Sequence, residues 1–133
     1  MATSNVKIAV GLLLAWLVPG LGHLRYGRRG KALLFFVLLS LAFVLGLWLG
    51  EWRDVHAEKF PLYLLAQIWL GGPTLLALAT TADLRITNDI AQLDAGLLFT
   101  SVAGLLNVVV MVDLYEVHLK IRQEAGTAAE ATS

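Results

Sequence analysis

The sequence predicts an all-α membrane protein of four short transmembrane helices, packed as two antiparallel hairpins. Three observations carry this reading. Ile8–Leu24, Ala32–Gly50, Phe60–Ala82 and Ala95–Val112 contain no Asp, Glu, Lys or Arg, and an apolar run of roughly 18 residues is long enough to cross a bilayer as a helix. Hydrophobic residues make up 58% of the 133 and charged residues 15%, where a soluble domain carries roughly 25% charged. Mean hydropathy is +0.73. So few polar residues cannot cover a soluble core.

The elements follow in order. Met1–Asn5 is a short polar tail. Ile8–Val18 reads as helix until Pro19-Gly20, where proline removes a backbone donor and clashes with the preceding turn. The first segment is therefore a kinked span ending near Leu24 or a re-entrant half-span, and its length favours the span. Lys7 ahead of an apolar stretch, with Gly20 and Gly22 behind it, also has the outline of a cleaved secretory signal. A chain cleaved there would begin inside a basic turn, so the span is preferred.

Arg25-Tyr26-Gly27-Arg28-Arg29-Gly30-Lys31 is that turn. Its glycines permit a tight reversal that sets segments one and two antiparallel. Segment two ends in Gly46 and Gly50, a spacing that lets two helices approach closely. Trp48 and Trp52 suit an interfacial aromatic belt. Glu51–Lys59 is a polar connection, and Pro61 fits the first turn of segment three. Gly71-Gly72-Pro73 breaks that segment near its middle. Asp83–Asp94 is the next connection, with Thr87-Asn88-Asp89 as a capping stretch. Segment four continues into a polar helix from Asp113 to Arg122. Residues 1–124 form one helical membrane domain, and 125–133 read as a disordered tail.

Ten basic and ten acidic residues cancel, so bulk charge gives no argument for nucleic acid or for general attraction to anionic lipid, and no nucleic-acid partner is expected. There is no cysteine, so disulfides and thiolate chemistry are excluded. There is no His-Glu-x-x-His, no phosphate-binding loop and no Gly-x-Ser-x-Gly. No catalytic, cofactor or metal residue is expected. On four spans the basic residues divide equally between the two sides. The cluster at the first turn then places that turn in the cytoplasm and both termini outside.

Three groups of residues are candidates for function. His23, Arg25, Tyr26, Arg28, Arg29 and Lys31 suit the headgroup level, as anchors or as a site for anionic lipid. Gln67 and Asn107 are amides inside apolar segments and should bond between helices, each the other's first candidate. Asp113 is an acid at the end of a span, a candidate functional group by position. Segments one and three share a Pro/Gly interruption, the pattern that can mark the site of an inverted-repeat transporter. The two halves show no sequence similarity.

Leu17-Val-Pro-Gly-Leu-Gly-His-Leu-Arg-Tyr-Gly-Arg-Arg-Gly-Lys31 resembles the turn of the small two-transmembrane-hairpin domain. Ala95-Gly-Leu-Leu-Phe-Thr-Ser-Val-Ala-Gly-Leu-Leu-Asn107, followed by Asp113, is similar to the last helix of an uncharacterised bacterial membrane-protein family with the same Pro-Gly-Leu-Gly-His hairpin. The resemblance implies a helical membrane architecture and no particular activity.

The expected function is non-enzymatic: a packing or accessory subunit of a membrane assembly, or a lipid-headgroup-binding scaffold. Its partners would be membrane lipids, other membrane proteins or itself, in the bacterial cytoplasmic membrane. The alternative is a small transporter or channel with a polar path near Gln67 and Asn107. A membrane-embedded enzyme using Asp113 and a histidine is third.

Overall fold

The computed structural model describes residues 2–55, 59–81 and 91–131. Among these residues there are six α-helices and no strand. They are α1 (Ala2–Leu17), α2 (Leu21–Arg25), α3 (Arg29–Leu49), α4 (Pro61–Gln67), α5 (Gly72–Thr81) and α6 (Leu93–Ala131), with a 3-10 turn at Ile68–Leu70 between α4 and α5. The all-helical class is as the sequence predicts. The four spans are not: only α3 and α6 are long and apolar enough to cross a membrane. Segments one and three are each divided at their Pro/Gly interruption.

The long helices run antiparallel. Near one end Lys31 of α3 bonds Asp113 of α6, and at the other Gly46 lies against Thr100. A Cβ on Gly96 would sit 2.7 Å from the Gly50 nitrogen and 2.8 Å from the Gly46 oxygen. The backbones touch there, so the Gly46/Gly50 spacing serves close packing of α3 on α6. The buried residues of α6 include Leu97, Thr100, Ala103, Asn107, Val110, Leu114 and Val117. This is the three- and four-residue rhythm of one helix face.

The first segment folds back on itself instead of spanning. α1 lies antiparallel to α6, with Gly11 beside Leu114 and the Ala15 carbonyl bonded to Asn107. After Leu17 the chain reverses at Pro19-Gly20. Gly20 has φ +81°, and a Cβ there would strike the Ala32 carbonyl. Only glycine fits both conditions. α2 then retraces α1: a Cβ on Gly22 would lie 2.6 Å from the Gly11 oxygen, and the Tyr26 ring lies beside Gly11. The start of α1, the basic turn and the C-terminal part of α6 therefore share one end of the bundle, the turn end. This corrects the expectation that the termini oppose the turn.

The third segment folds back from the far end. α4 enters along α6, where Gly104 abuts the Ala66 carbonyl. The chain reverses at Gly71, with φ +59°. α5 returns, so that the Thr81 hydroxyl donates to the Val55 carbonyl just past α3 (3.3 Å). Ten residues of α5 rise about 15 Å, half of a hydrocarbon core of about 30 Å. Each unit is thus a helical hairpin followed by a long helix, and the second unit is inverted relative to the first. The two hairpin tips meet, with Gly71 and Gly72 pressed on the Trp16 and Leu17 carbonyls, where any Cβ would collide with backbone. The Trp16 indole donates across the tips to the Ile68 carbonyl (3.0 Å).

α6 continues to Ala131, through part of the stretch whose composition reads as a disordered tail. The capping stretch Thr87-Asn88-Asp89, Arg85 and His56 lie outside the described residues.

Candidate functional site

Polar side chains gather along the inner face of α6 at three levels. At the turn end stands Asp113. Lys31 Nζ donates to both of its carboxylate oxygens, at 2.8 and 2.9 Å. His23 Nε2 lies 2.8 Å from the same carboxylate, and its ring is fully buried. A carboxylate only accepts, so Nε2 carries the proton. His23 Nδ1 is buried without a partner, and the ring packs edge-on to Phe35. One turn further out, Tyr26 Oη and His118 Nδ1 are at hydrogen-bond distance, 3.0 Å. These bonds tie the first turn to α6 across more than 80 residues of sequence.

At mid-depth is Asn107, fully buried. Its amide donates to the Ala15 carbonyl (3.1 Å) and the Trp69 carbonyl (2.9 Å). One acceptor belongs to the last turn of α1 and the other to the 3-10 turn after α4. Broken helices leave their last carbonyls without intrahelical partners, and a two-donor amide answers one from each hairpin. The expected Asn107–Gln67 pair does not form: Gln67 lies one level away. Its amide donates to Thr100 Oγ1 (2.7 Å) and to the Asp54 carbonyl (3.2 Å).

That third level, at the far end, holds a group the sequence reading passed over. Asp54 is fully buried, and neither carboxylate oxygen has a hydrogen-bond donor. Gln67 Oε1 beside it is also unpartnered. The Thr100 proton is directed to the Gly96 carbonyl (2.9 Å) instead. The chain reaches this position through Glu51 and Trp52, both in left-handed backbone conformations (φ 50° and 62°), each of which costs on the order of 1–3 kcal/mol. Burial pushes the Asp54 carboxyl above its ordinary pKa, outweighing the downward pull of its own amide and the nearby Thr100 hydroxyl.

The six candidates in the basic turn divide. His23, Tyr26 and Lys31 face inward to α6. Arg25, Arg28 and Arg29 are exposed. Among the described residues no side-chain hydrogen bond or ion pair engages these three. Among the described residues no three His, Asp or Glu side chains gather as metal ligands.

A family model matches residues 10–126, from within α1 to within α6. The chain belongs to DUF6677, a family of unknown function. Neither a curated protein nor a solved structure matches it. The family assignment leaves the chemistry to the residues themselves.

Two expected outcomes follow from the buried groups. Asn107→Leu fills similar volume but orphans the Ala15 and Trp69 carbonyls. Bonds of this kind contribute about 0.6–1.7 kcal/mol each inside a membrane bundle, so the variant should lose roughly 1–3 kcal/mol. Thermal melts in detergent measure it, and an unchanged melting temperature would mean that the tips do not depend on the amide. For Asp54, the raised pKa means that the folded chain holds this proton more tightly than the unfolded chain. Its contribution is fully present below the ordinary carboxylate range and is lost as pH rises through the raised value. Asp54→Asn should remove that loss. Melting wild type and variant across a pH series should show the two curves separating toward higher pH, with the variant the more stable.

Proposed function

We propose that this protein is a non-enzymatic, multi-pass membrane scaffold whose turn end binds acidic lipid headgroups, in the manner of a packing or accessory subunit. The observation that carries this reading is the division of the basic turn. Half of its polar side chains lock the turn to α6, and Arg25, Arg28 and Arg29 are left outward and unpaired.

Membrane placement rests on what α3 and α6 leave uncovered. Only 28% of the most apolar stretch of α3 and 44% of that of α6 is buried. Leu33, Leu34, Val37, Leu41 and Val44 of α3 are all exposed. An apolar surface of this extent needs lipid or protein against it. The two half-depth hairpins suit the same setting. Irregular backbone at membrane depth is tolerated where it is buried in protein, and Gly20 and Gly71, at the two reversals, are buried.

The fold also bears on the tie in charge. Among the described residues Lys7, Arg25, Arg28, Arg29, Lys31, Lys120 and Arg122 stand at the turn end, against Arg53 and Lys59 at the far end. Positive residues favour the cytoplasmic side, so the turn end, with the start of α1 and the end of α6, faces the cytoplasm, in a bacterial host the cytoplasmic face of the inner membrane. Single cysteines at Asn5, Arg28, Lys59 and Thr127 test the topology. An impermeant thiol reagent should reach positions 5, 28 and 127 from one side and 59 from the other. Labelling of 5 and 28 from opposite sides would restore a spanning first segment.

A small transporter or channel is the second reading, favoured by the meeting of two broken hairpins at Asn107. Against it, the polar levels are separated by buried Leu70, Ala103 and Val110, which leave no continuous polar route along α6. An enzyme built on Asp113 and His23 would need the imidazole to reach a substrate, and that ring is fully enclosed.

The headgroup reading is tested with Arg25, Arg28 and Arg29 all changed to Gln, and Lys31 retained for its bond to Asp113. Each basic group near an anionic surface contributes about 1 kcal/mol. The triple variant should therefore bind phosphatidylglycerol on the order of a hundredfold more weakly. Native mass spectrometry reads the adducts. Equal occupancy in a folded, correctly oriented variant would reduce the arginines to anchors.

A further inference from the structure

The Pro19-Gly20 break does more than end α1. It opens a groove on the outer surface between the first hairpin and α3. Val18, Pro19 and Leu24 form one wall, Leu33 and Phe36 the other, and Arg29 stands at the rim. The groove encloses about 250 Å³. Its walls are aliphatic and aromatic, apart from that one guanidinium. Arg29 is the first residue of α3, so the rim lies at the turn end, level with exposed Arg25 and Arg28.

From Arg29 to Phe36 the groove follows α3 for about 10 Å. That is two-thirds of the roughly 15 Å half-thickness of a hydrocarbon core. We propose that this groove seats one acyl chain of an anionic phospholipid from the turn-end leaflet, with the lipid phosphate on Arg29 and its neighbours. The proposal rests on the headgroup reading above and gives the lipid a definite position. Charge at the rim and apolar walls below it reproduce the order of groups in a phospholipid: anion first, then hydrocarbon. A soluble phosphate would use the arginines and ignore the groove.

A second apolar groove supplies the internal contrast. It lies in the far half of the same helix, between Phe43 and Leu47 of α3 and Pro73 and Leu76 of α5, beside Trp52. It too is bounded by the proline of a broken hairpin, but among the described residues no cation lines it. It has the walls for a chain without the charge that selects an anionic one. Selectivity for acidic lipid therefore belongs to the turn-end groove.

The test uses the full chain in nanodiscs of equal parts phosphatidylcholine and phosphatidylglycerol, followed by native mass spectrometry. Leu33→Trp fills the groove and leaves every charge in place. Leu41→Trp adds the same bulk to an exposed face of α3 outside both grooves. Phosphatidylglycerol adducts should fall several-fold for Leu33→Trp and for the triple arginine variant, and persist for Leu41→Trp. If Leu33→Trp keeps its adducts while the arginine variant loses them, the groove proposal falls and the headgroup reading stands. If the arginine variant keeps them, the headgroup reading itself fails, and the anionic selectivity with it. Where Leu33→Trp does not fold, the wild type decides. Phosphatidylglycerol with a photoreactive chain should crosslink to the stretches around Leu24 and Leu33–Phe36, and crosslinks spread evenly over α3 and α6 would overturn the groove.

Discussion

Asn107 is the constraint on which the rest of this structure turns. Two helices end inside the bundle, and each end leaves carbonyls without an intrahelical partner. One primary amide donates to both. The donors must lie where α1 and the 3-10 turn converge, and that fixes how deep each hairpin reaches. The Trp16 indole takes a third tip carbonyl. Gly71 and Gly72 then let the tips close to backbone contact, which leaves no room for water between them. The tips are joined by hydrogen bonds and sealed by sterics at the same point.

From that junction the inner face of α6 reads as a ladder. Thr100, Asn107 and Leu114 are spaced by sevens, about 10 Å apart along the axis. The first serves the far-end hairpin, the second both tips, and the third packs where Asp113 receives His23 and Lys31. Apolar layers lie between the levels. Each polar group is therefore an isolated fastening, which is why a scaffold accounts for the arrangement better than a conduit. A conduit needs neighbouring polar groups at water-bridging distances, whereas buried Ala103 stands on α6 between Thr100 and Asn107.

Local signals in the sequence were sufficient for the helices, the two interruptions, the Gly46/Gly50 contact and the inward direction of Gln67 and Asn107. They were not sufficient for the depth of segments one and three. Length sets whether a segment can span, but not whether a Pro/Gly break kinks it or turns it back. That choice was made by tertiary partners: Gly22 packing on Gly11, and Asn107 receiving the ends. The far partners of His23 and Lys31 were equally hidden, because Asp113 lies some 80 residues away and nothing local points to it. The antiparallel pairing of α3 and α6 would have shown Lys31 opposite Asp113. Asp54 was missed for a different reason. It sits in a polar connection, where an acid is ordinarily solvated, and only the left-handed turn at Glu51-Trp52 carries it inward.

The two ends of the bundle are consequently built by opposite means. At the turn end the buried histidine has a carboxylate, the carboxylate has a lysine, and α6 rather than solvent completes the turn. At the far end the strained turn delivers an acid with no partner, beside an amide oxygen with none. The inverted arrangement of the two units is thus a likeness of backbone alone. The first unit spends its polar side chains on closing its own end, and the arginines left over are the ones at the rim of a groove. Among the described residues the second unit has no cation at its groove, and burial raises the pKa of its acid. Among the described residues the two ends therefore differ: exposed arginines stand beside a closed carboxylate cluster at one, and a carboxyl is buried without a partner at the other.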